Sequence, residues 1–470
     1  MVDVVGILIA GLPFAVAAVG LVVLGWSASV AGVASLAAAV VGALVWPPLQ
    51  ALAVPGALFG GLGTSAQVLY VLFGGLLLYN LLAAGGAVDK VSRFLGRLEP
   101  DRVSLAAVVV VGVAPFFESV TGFGVAVVIS APILLAAGFT PLRAAVLASW
   151  GQCAVPWGAL GVGTVIGAHL ADMGFQRLSD SSAVLSVPLF PVYGLAAVAL
   201  ADGWSGVRRR GMEAVALGLV AGVGTLFTSL FLVPELSGAI GGLSATAVFL
   251  AWRWRRLTGV PLRALLPYAF LLALLAAANG IPAARDVLGT LGPVFDGPGL
   301  PLLLSGALTV LLFGLRGEQS GTAVRKTSTQ WLPTAGAVLT FVLAGEVVAG
   351  SGAAGLLAGG AESLGGLYPA VSPMLAGLGG ALAGSNAASN ALFMPLQVEA
   401  ARGLGLSPDL TAAVQNVAGS QASMLSPQRL VLAATATGLL GREIEILRVA
   451  LAPVAIAIGL LALVGMIVLP

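Results

Sequence analysis

The chain has 470 residues, of which 59% are hydrophobic and 9% charged, with a formal net charge of +2 and a mean hydropathy of +1.06. Soluble domains carry about 25% charged residues, so this composition excludes a soluble surface, and no basic–aromatic stripe points to nucleic acid. One cysteine, Cys153, and one histidine, His169, exclude an internal disulfide and a cysteine metal cluster and leave too little for a zinc site or a Ser/His or Cys/His nucleophile pair; neither enzyme chemistry nor a cofactor is expected.

A helix needs roughly 20 apolar residues to cross a bilayer. No charged residue occurs between Asp3 and Asp89. The fold class read from this is an all-α polytopic membrane protein, with about 12 transmembrane helices plus two re-entrant hairpins in inverted repeats. The N-terminal run lacks a basic n-region and a clear cleavage site, and reads as a retained span. Spans are expected at about 5–25, 29–46, 66–84, 142–170, 183–203, 212–234, 238–252, 264–280, 299–315, 329–350, 409–438 and 446–469. The segment 47–65, with Pro47, Pro48 and Pro55, reads as a short interfacial piece.

Two regions do not read as simple spans. Residues 104–138 hold two apolar arms around "FFESVTGFG", and residues 370–402 hold two arms around "GSNAASN". Counted in the sequence, each arm is too short to cross alone, and non-helical backbone at membrane depth is tolerated only where protein or water satisfies it. Both regions are therefore expected to be hairpins whose tips reach the interior.

If both hairpins return to their side of entry, the positive-inside rule can be applied. Placing Lys90, Arg93, Arg97 and Arg102 in the cytoplasm also places Arg143, the run Arg208, Arg209 and Arg210, the arginines from Arg253 to Arg263, then Arg316, Arg325, Lys326, Arg442 and Arg448 there. Arg177, Arg285 and Arg402 fall outside, Arg429 lies within a span, and both termini are outside.

The chain also repeats. "AAGFTPLRAAV" after the first break returns as "GLGLSPDLTAAV" after the second, with Pro141 recurring as Pro408 and Val146 as Val414. The opposite sidedness of the hairpins makes the copies inverted: a first repeat at 5–203 (hairpin 104–138, broken helix 142–170), linking helices at 204–263, and a second repeat at 264–469 (hairpin 370–402, broken helix 409–438). Inverted repeats with discontinuous helices near the midplane mark secondary transporters.

Freed helix N-termini favour anions and unwound carbonyls favour cations. Ser119, Thr121, Gly122 and Gly124 at the first tip, and Ser385, Asn386, Ser389 and Asn390 at the second, suit a small anion bearing a hydroxyl; alternatively they cap the tips. Gln152, Trp157 and Thr164 of the first broken helix, and Gln415, Asn416, Gln421, Ser426 and Gln428 of the second, would complete a polar cavity or else join helices by ordinary hydrogen bonds. Glu118 is the sharpest candidate, because an intramembrane carboxyl is costly and functional by default. It is expected to take up and release a proton, with a fixed structural carboxyl as the alternative. Glu346 is the second proton-coupling candidate and otherwise a solvated carboxylate, as Glu399 is. Arg429 is read equally as a partner for a substrate carboxylate or as a cation reaching the interface, and His169 as interfacial.

At "FFESVTGFG", "PWGALGVGT", "SNALF" through "GLSP", and "LSPQ", the chain resembles the bacterial lactate permease family over most of its length. The resemblance implies a carrier of lactate and related 2-hydroxymonocarboxylates such as glycolate, coupled to protons, in the cytoplasmic (inner) membrane. A sodium-coupled carrier of another small organic anion is the alternative. The weaker architectural likeness to the ion-transporter superfamily, whose members often work as dimers, allows a homodimer. The family pattern often has Asp at the position of Asn386 and Lys near Ser423; here both are neutral, so an acid and a base are missing together.

Overall fold

A computed structural model describes residues 4–99, 101–281 and 297–468. Arg285 and the extreme termini lie outside the described residues. Among the described residues the secondary structure is entirely helical. Helices α1 (Val4–Val22), α2 (Ala28–Val45) and α3 (Val54–Ala84) lead to a short amphipathic α4 (Ala87–Leu98). Next, α5 (Arg102–Val108) continues through a π-helical turn at Val109–Val113 into α6 (Ala114–Thr121), and α7 (Val125–Ala136) returns against α6. The bent pair α8 (Pro141–Trp150) and α9 (Gly158–Leu170) follows, then α10 (Phe175–Ser186), α11 (Leu189–Phe231) and α12 (Ser237–Trp252). The second half runs α13 (Leu262–Gly280), α14 (Gly299–Phe313), α15 (Gly317–Gly350), α16 (Ala353–Glu362), α17 (Tyr368–Ala383), α18 (Asn386–Gly403), α19 (Pro408–Ser423), α20 (Pro427–Thr437) and α21 (Glu443–Val468).

Ten helices among the described residues are long and apolar enough to cross a membrane, or up to eleven if the bent pair is one span. This is a multi-pass membrane protein. The 43-residue α11 accounts for two of the expected spans, because it doubles back at Asp202 and Gly203, where the backbone leaves helical geometry. Glycines make the close return: Gly222 packs on Val187, Gly218 on Pro191 and Gly194 on Ala214. Small residues let membrane helices approach where hydrophobicity alone gives no driving force. The same device joins α17 to α19, where Gly380 meets the Gly419 carbonyl, and α15 to α18, where Gly345 meets the Ala391 carbonyl.

Three expectations need correction. Residues 54–65 are not an interfacial piece; they are the first turns of the 31-residue α3, with Pro55 in the first turn, where a missing N–H costs nothing. The π-turn carries the first arm onward, so that Arg102–Thr121 is 20 residues long and, beyond the exposed Arg102, buried in the protein. Gly365–Ala383 is 19 residues long. The first arm of each pair therefore has the length to cross, whereas α7 has only 12 residues. The first helix runs on through the π-turn to Thr121, inside its polar break, whereas the second ends at Ala383, before its break, and gains length from a 3-10 turn at Gly365–Leu367.

The repeated Thr/Ser–Pro pairs start helices. Thr140 accepts from the Arg143 N–H at 3.5 Å, Ser407 from Leu410 at 3.4 Å, and Ser426 from Arg429 at 3.4 Å. In each case the following proline occupies the first helical position, the favoured arrangement for an N-terminus.

Candidate functional site

Two strained turns meet in the interior. After Thr121 three residues in succession have positive φ: Gly122 at 70°, Phe123 at 54° and Gly124 at 79°. The start of α9 has a second such run, Ala159 at 49°, Leu160 at 58° and Gly161 at 86°. Left-handed geometry costs roughly 1–2 kcal/mol for a residue with a Cβ, and such strain gathers at functional sites. The turns touch: a Cβ on Gly122 would lie 2.9 Å from the Ala159 nitrogen. The α17–α18 tip adds Gly384, with φ of 69°, and Ser385, which caps α18 by accepting from Ala388 at 3.1 Å.

Glu118, fully buried on the last turns of α6, lies where these breaks converge. The Gly124 N–H faces both its oxygens, at 3.2 and 3.1 Å, which requires the chain to reverse immediately after α6. From α20, Arg429 Nη1 lies 3.2 Å from Glu118 Oε1, with the arginine side chain only 7% exposed. The same nitrogen donates to Gln152 Oε1, and Nε donates to the Gly384 carbonyl at 3.1 Å. One guanidinium thus ties together both tips and both broken helices. Arg429 stands on the first turn of α20 because Ser426 and Pro427 start that helix inside the protein.

Glu118, Arg429, Phe123, Val162, Ser385 and Asn386 help to line a cavity of about 20 Å³. A space of this size holds about one water.

A second network backs the cavity, with Asn416 at its centre. Asn386 and Asn390 each donate to Asn416 Oδ1 at 2.8 Å. Asn416 Nδ2 donates to Ser182 at 2.8 Å and to Thr164 at 3.0 Å, and Asn390 also donates to the Gly163 carbonyl at 2.9 Å. Gly163 and Gly167 allow this approach, since Cβ atoms there would lie 2.7 Å from the Asn386 and Asn390 amide nitrogens. The Oδ1 atoms of Asn386 and Asn390 have no hydrogen-bond partner.

The sequence candidates divide by position. Glu118, Gly122, Ser385 and Asn386 line the cavity. Gln152 is held by Arg429, Gly124 by Glu118, and Thr121 donates back to the Phe117 carbonyl at 2.6 Å. Thr164, Asn390 and Asn416 belong to the supporting network. Ser389 accepts from Gln415 at 3.2 Å, Gln415 accepts from Gln397 at 3.2 Å, and Gln397 accepts from Ser372 at 2.8 Å. Gln421 donates to the Cys153 carbonyl at 3.1 Å, Ser426 caps α20, and Gln428 is exposed.

Others point elsewhere. Ser119 packs beside Gly238 of α12, and its hydroxyl has no hydrogen-bond partner. Trp157 donates to Ser179 of α10 at 2.9 Å. Glu346 faces His169 Nε2 at 2.8 Å, joining α15 to the end of α9, and Glu399 pairs with Arg402 at 2.5 Å. The residue that sequence reasoning left undecided is Arg429. The available signal was charge balance: a carboxyl within the membrane calls for a countercharge, and Arg429 is the one basic residue that the expected topology leaves inside a span.

The family model described as L-lactate permease matches residues 6–260 and 262–470. An L-lactate permease of Streptococcus iniae is 26% identical over 383 residues, covering 74% of this chain and 80% of that protein. The glycolate permease GlcA of Escherichia coli K12 is 26% identical over 464 residues, covering 81% of this chain and 80% of that protein. Among solved structures, the YdaH transporter of Alcanivorax borkumensis aligns with a TM-score of 0.48 at 17% identity, over 88% of this chain and 86% of that one. The chain belongs to the L-lactate permease family.

Proposed function

We propose that this protein carries lactate and related 2-hydroxymonocarboxylates, such as glycolate, across the cytoplasmic membrane in symport with protons. The observation that carries this reading is the buried Glu118–Arg429 pair, which is joined to both tips and lines a small cavity. An ionised Glu118 satisfies Arg429 and competes with an incoming carboxylate. A proton on Glu118 removes that competition and leaves the guanidinium to the substrate. Each ligand then strengthens the binding of the other, which is reciprocal coupling between two sites. Ser385 and Asn386 stand beside the cavity as partners for the 2-hydroxyl.

The cavity is too small for lactate, so loading requires the tips to move. An inverted pair of repeats, 5–203 and 264–469 about the linking helices 204–263, supplies two such tips, one for each side. In support of that pairing, Gln421 of one broken helix holds the Cys153 carbonyl of the other, and Trp150 donates to the Ala450 carbonyl at 3.0 Å. The sodium-coupled reading draws on one observation, the two buried unpartnered oxygens of Asn386 and Asn390, since sodium favours hard oxygen ligands.

The test is uptake of labelled L-lactate into proteoliposomes under a proton gradient and, separately, a sodium gradient. Accumulation on the proton gradient alone supports the proposal. Accumulation on sodium alone favours the second reading, and on neither removes both.

A further inference from the structure

We infer that the protein carries a built site for an anionic glycerophospholipid, formed by a cationic cup that opens into an apolar cleft. The cup, a cavity of about 650 Å³, is lined by Lys90, Arg93 and Arg97 of α4 and by Arg256 of the loop between α12 and α13, with no acidic residue in its wall. The cleft, about 190 Å³, is lined by apolar side chains and Thr246, and runs between α4, α6, α12 and α13. Phe94 and Pro261 belong to both walls, so the two spaces adjoin.

The amphipathic pattern of α4 produces this geometry. Ala87, Val91 and Leu95 are buried, whereas Lys90, Arg93 and Arg97 on the other face are exposed. Among the described residues none of these three has a carboxylate partner; Lys90 lies 5.6 Å from the Phe313 ring centre, and Arg93 Nε donates to the Asp89 carbonyl at 3.2 Å. Arg256 lies 3.6 Å from Glu99, but that carboxylate also pairs with the more buried Arg253. The cup is thus left with uncompensated positive charge.

Its place in the fold suits a lipid. Candidate spans end nearby at Ala84 and Trp252 and begin at Arg102 and Leu262. Trp252 and Trp254, 52% and 65% exposed, stand just before Arg256 in the chain at the end of a span, where tryptophans mark the membrane interface. Basic pockets between membrane helices hold anionic headgroups. A free anion would use the cup but not the cleft; a phospholipid uses both. The acyl chain would lie against Phe116 and Phe117, the residues that precede Glu118 on α6.

The test is native mass spectrometry of the purified, delipidated protein titrated with dioleoylphosphatidylglycerol and, in parallel, dioleoylphosphatidylcholine. The wild type should prefer phosphatidylglycerol. Each surface cation is worth about a fivefold change in affinity, so the combined Lys90→Gln, Arg93→Gln and Arg97→Gln variant should lose roughly 100-fold. Ala269→Phe, an exposed position on the cleft wall, should weaken phosphatidylglycerol while the cations remain. Equal binding of the two lipids, wild-type affinity in the triple variant, or no effect of Ala269→Phe would overturn the inference. Displacement of the lipid by equimolar inorganic phosphate would also overturn it, by showing a free-anion site.

Discussion

Replacing Glu118 by Gln keeps the shape of the side chain and removes its charge. At 3.2 Å from Arg429, with an effective dielectric of about 20, the lost attraction is about 5 kcal/mol. Removing one partner of a buried pair typically costs about 3–5 kcal/mol, because the remaining charge is left uncompensated. Glu118→Gln should therefore destabilise the empty protein by an amount in that range. A substrate carboxylate can return much of it by taking the vacant place beside the guanidinium. Lactate should then raise the unfolding temperature of the variant more than that of the wild type, and lactate affinity should lose its dependence on pH. In proteoliposomes the variant should exchange internal for external lactate but fail to accumulate it on a proton gradient. If Glu118→Gln accumulates lactate with wild-type pH dependence, the coupling argument is wrong. Glu118 is then a structural carboxyl, and Glu346, with His169 2.8 Å away, becomes the next proton site to test.

Arg429→Lys keeps the charge but loses the planar fork that reaches Glu118, Gln152 and Gly384 together; lactate binding measured by calorimetry should weaken by at least tenfold, and unchanged affinity would remove Arg429 from the binding step. Asn416→Ala should cost about 1–3 kcal/mol or more in denaturation, since it strands the buried amide of Asn386 and leaves that of Asn390 with only the Gly163 carbonyl. Gly122→Ala places a Cβ 2.9 Å from the Ala159 nitrogen in a left-handed turn, and should abolish proton-driven uptake or expression, whereas Gly138→Ala, also left-handed but with nothing within 4 Å, should lose only about 1–2 kcal/mol. Ser119→Ala removes a buried hydroxyl without a partner, so uptake should match wild type and stability should hold or rise.

Much of this protein can be read along the chain because the bilayer acts locally. Nearly every 20-residue window must choose between lipid and water, so span positions follow from composition, and the doubling back of α11 was visible as two apolar runs around Arg208, Arg209 and Arg210. The polar breaks were equally legible, since Gly, Ser and Asn in a hydrophobic run need an interior explanation. What only the tertiary structure decided was direction and partnership. Ser119 and Thr121 are two residues apart, on different sides of α6: Ser119 packs on α12, while Thr121 leads into the turn that brings Gly124 to Glu118. Arg429 lies 311 positions from Glu118 along the chain, and a sequence does not state which long-range charge will neutralise which. Burial settles it, because in a low-dielectric interior an unpaired charge is too costly to keep, and the fold must bring the two together.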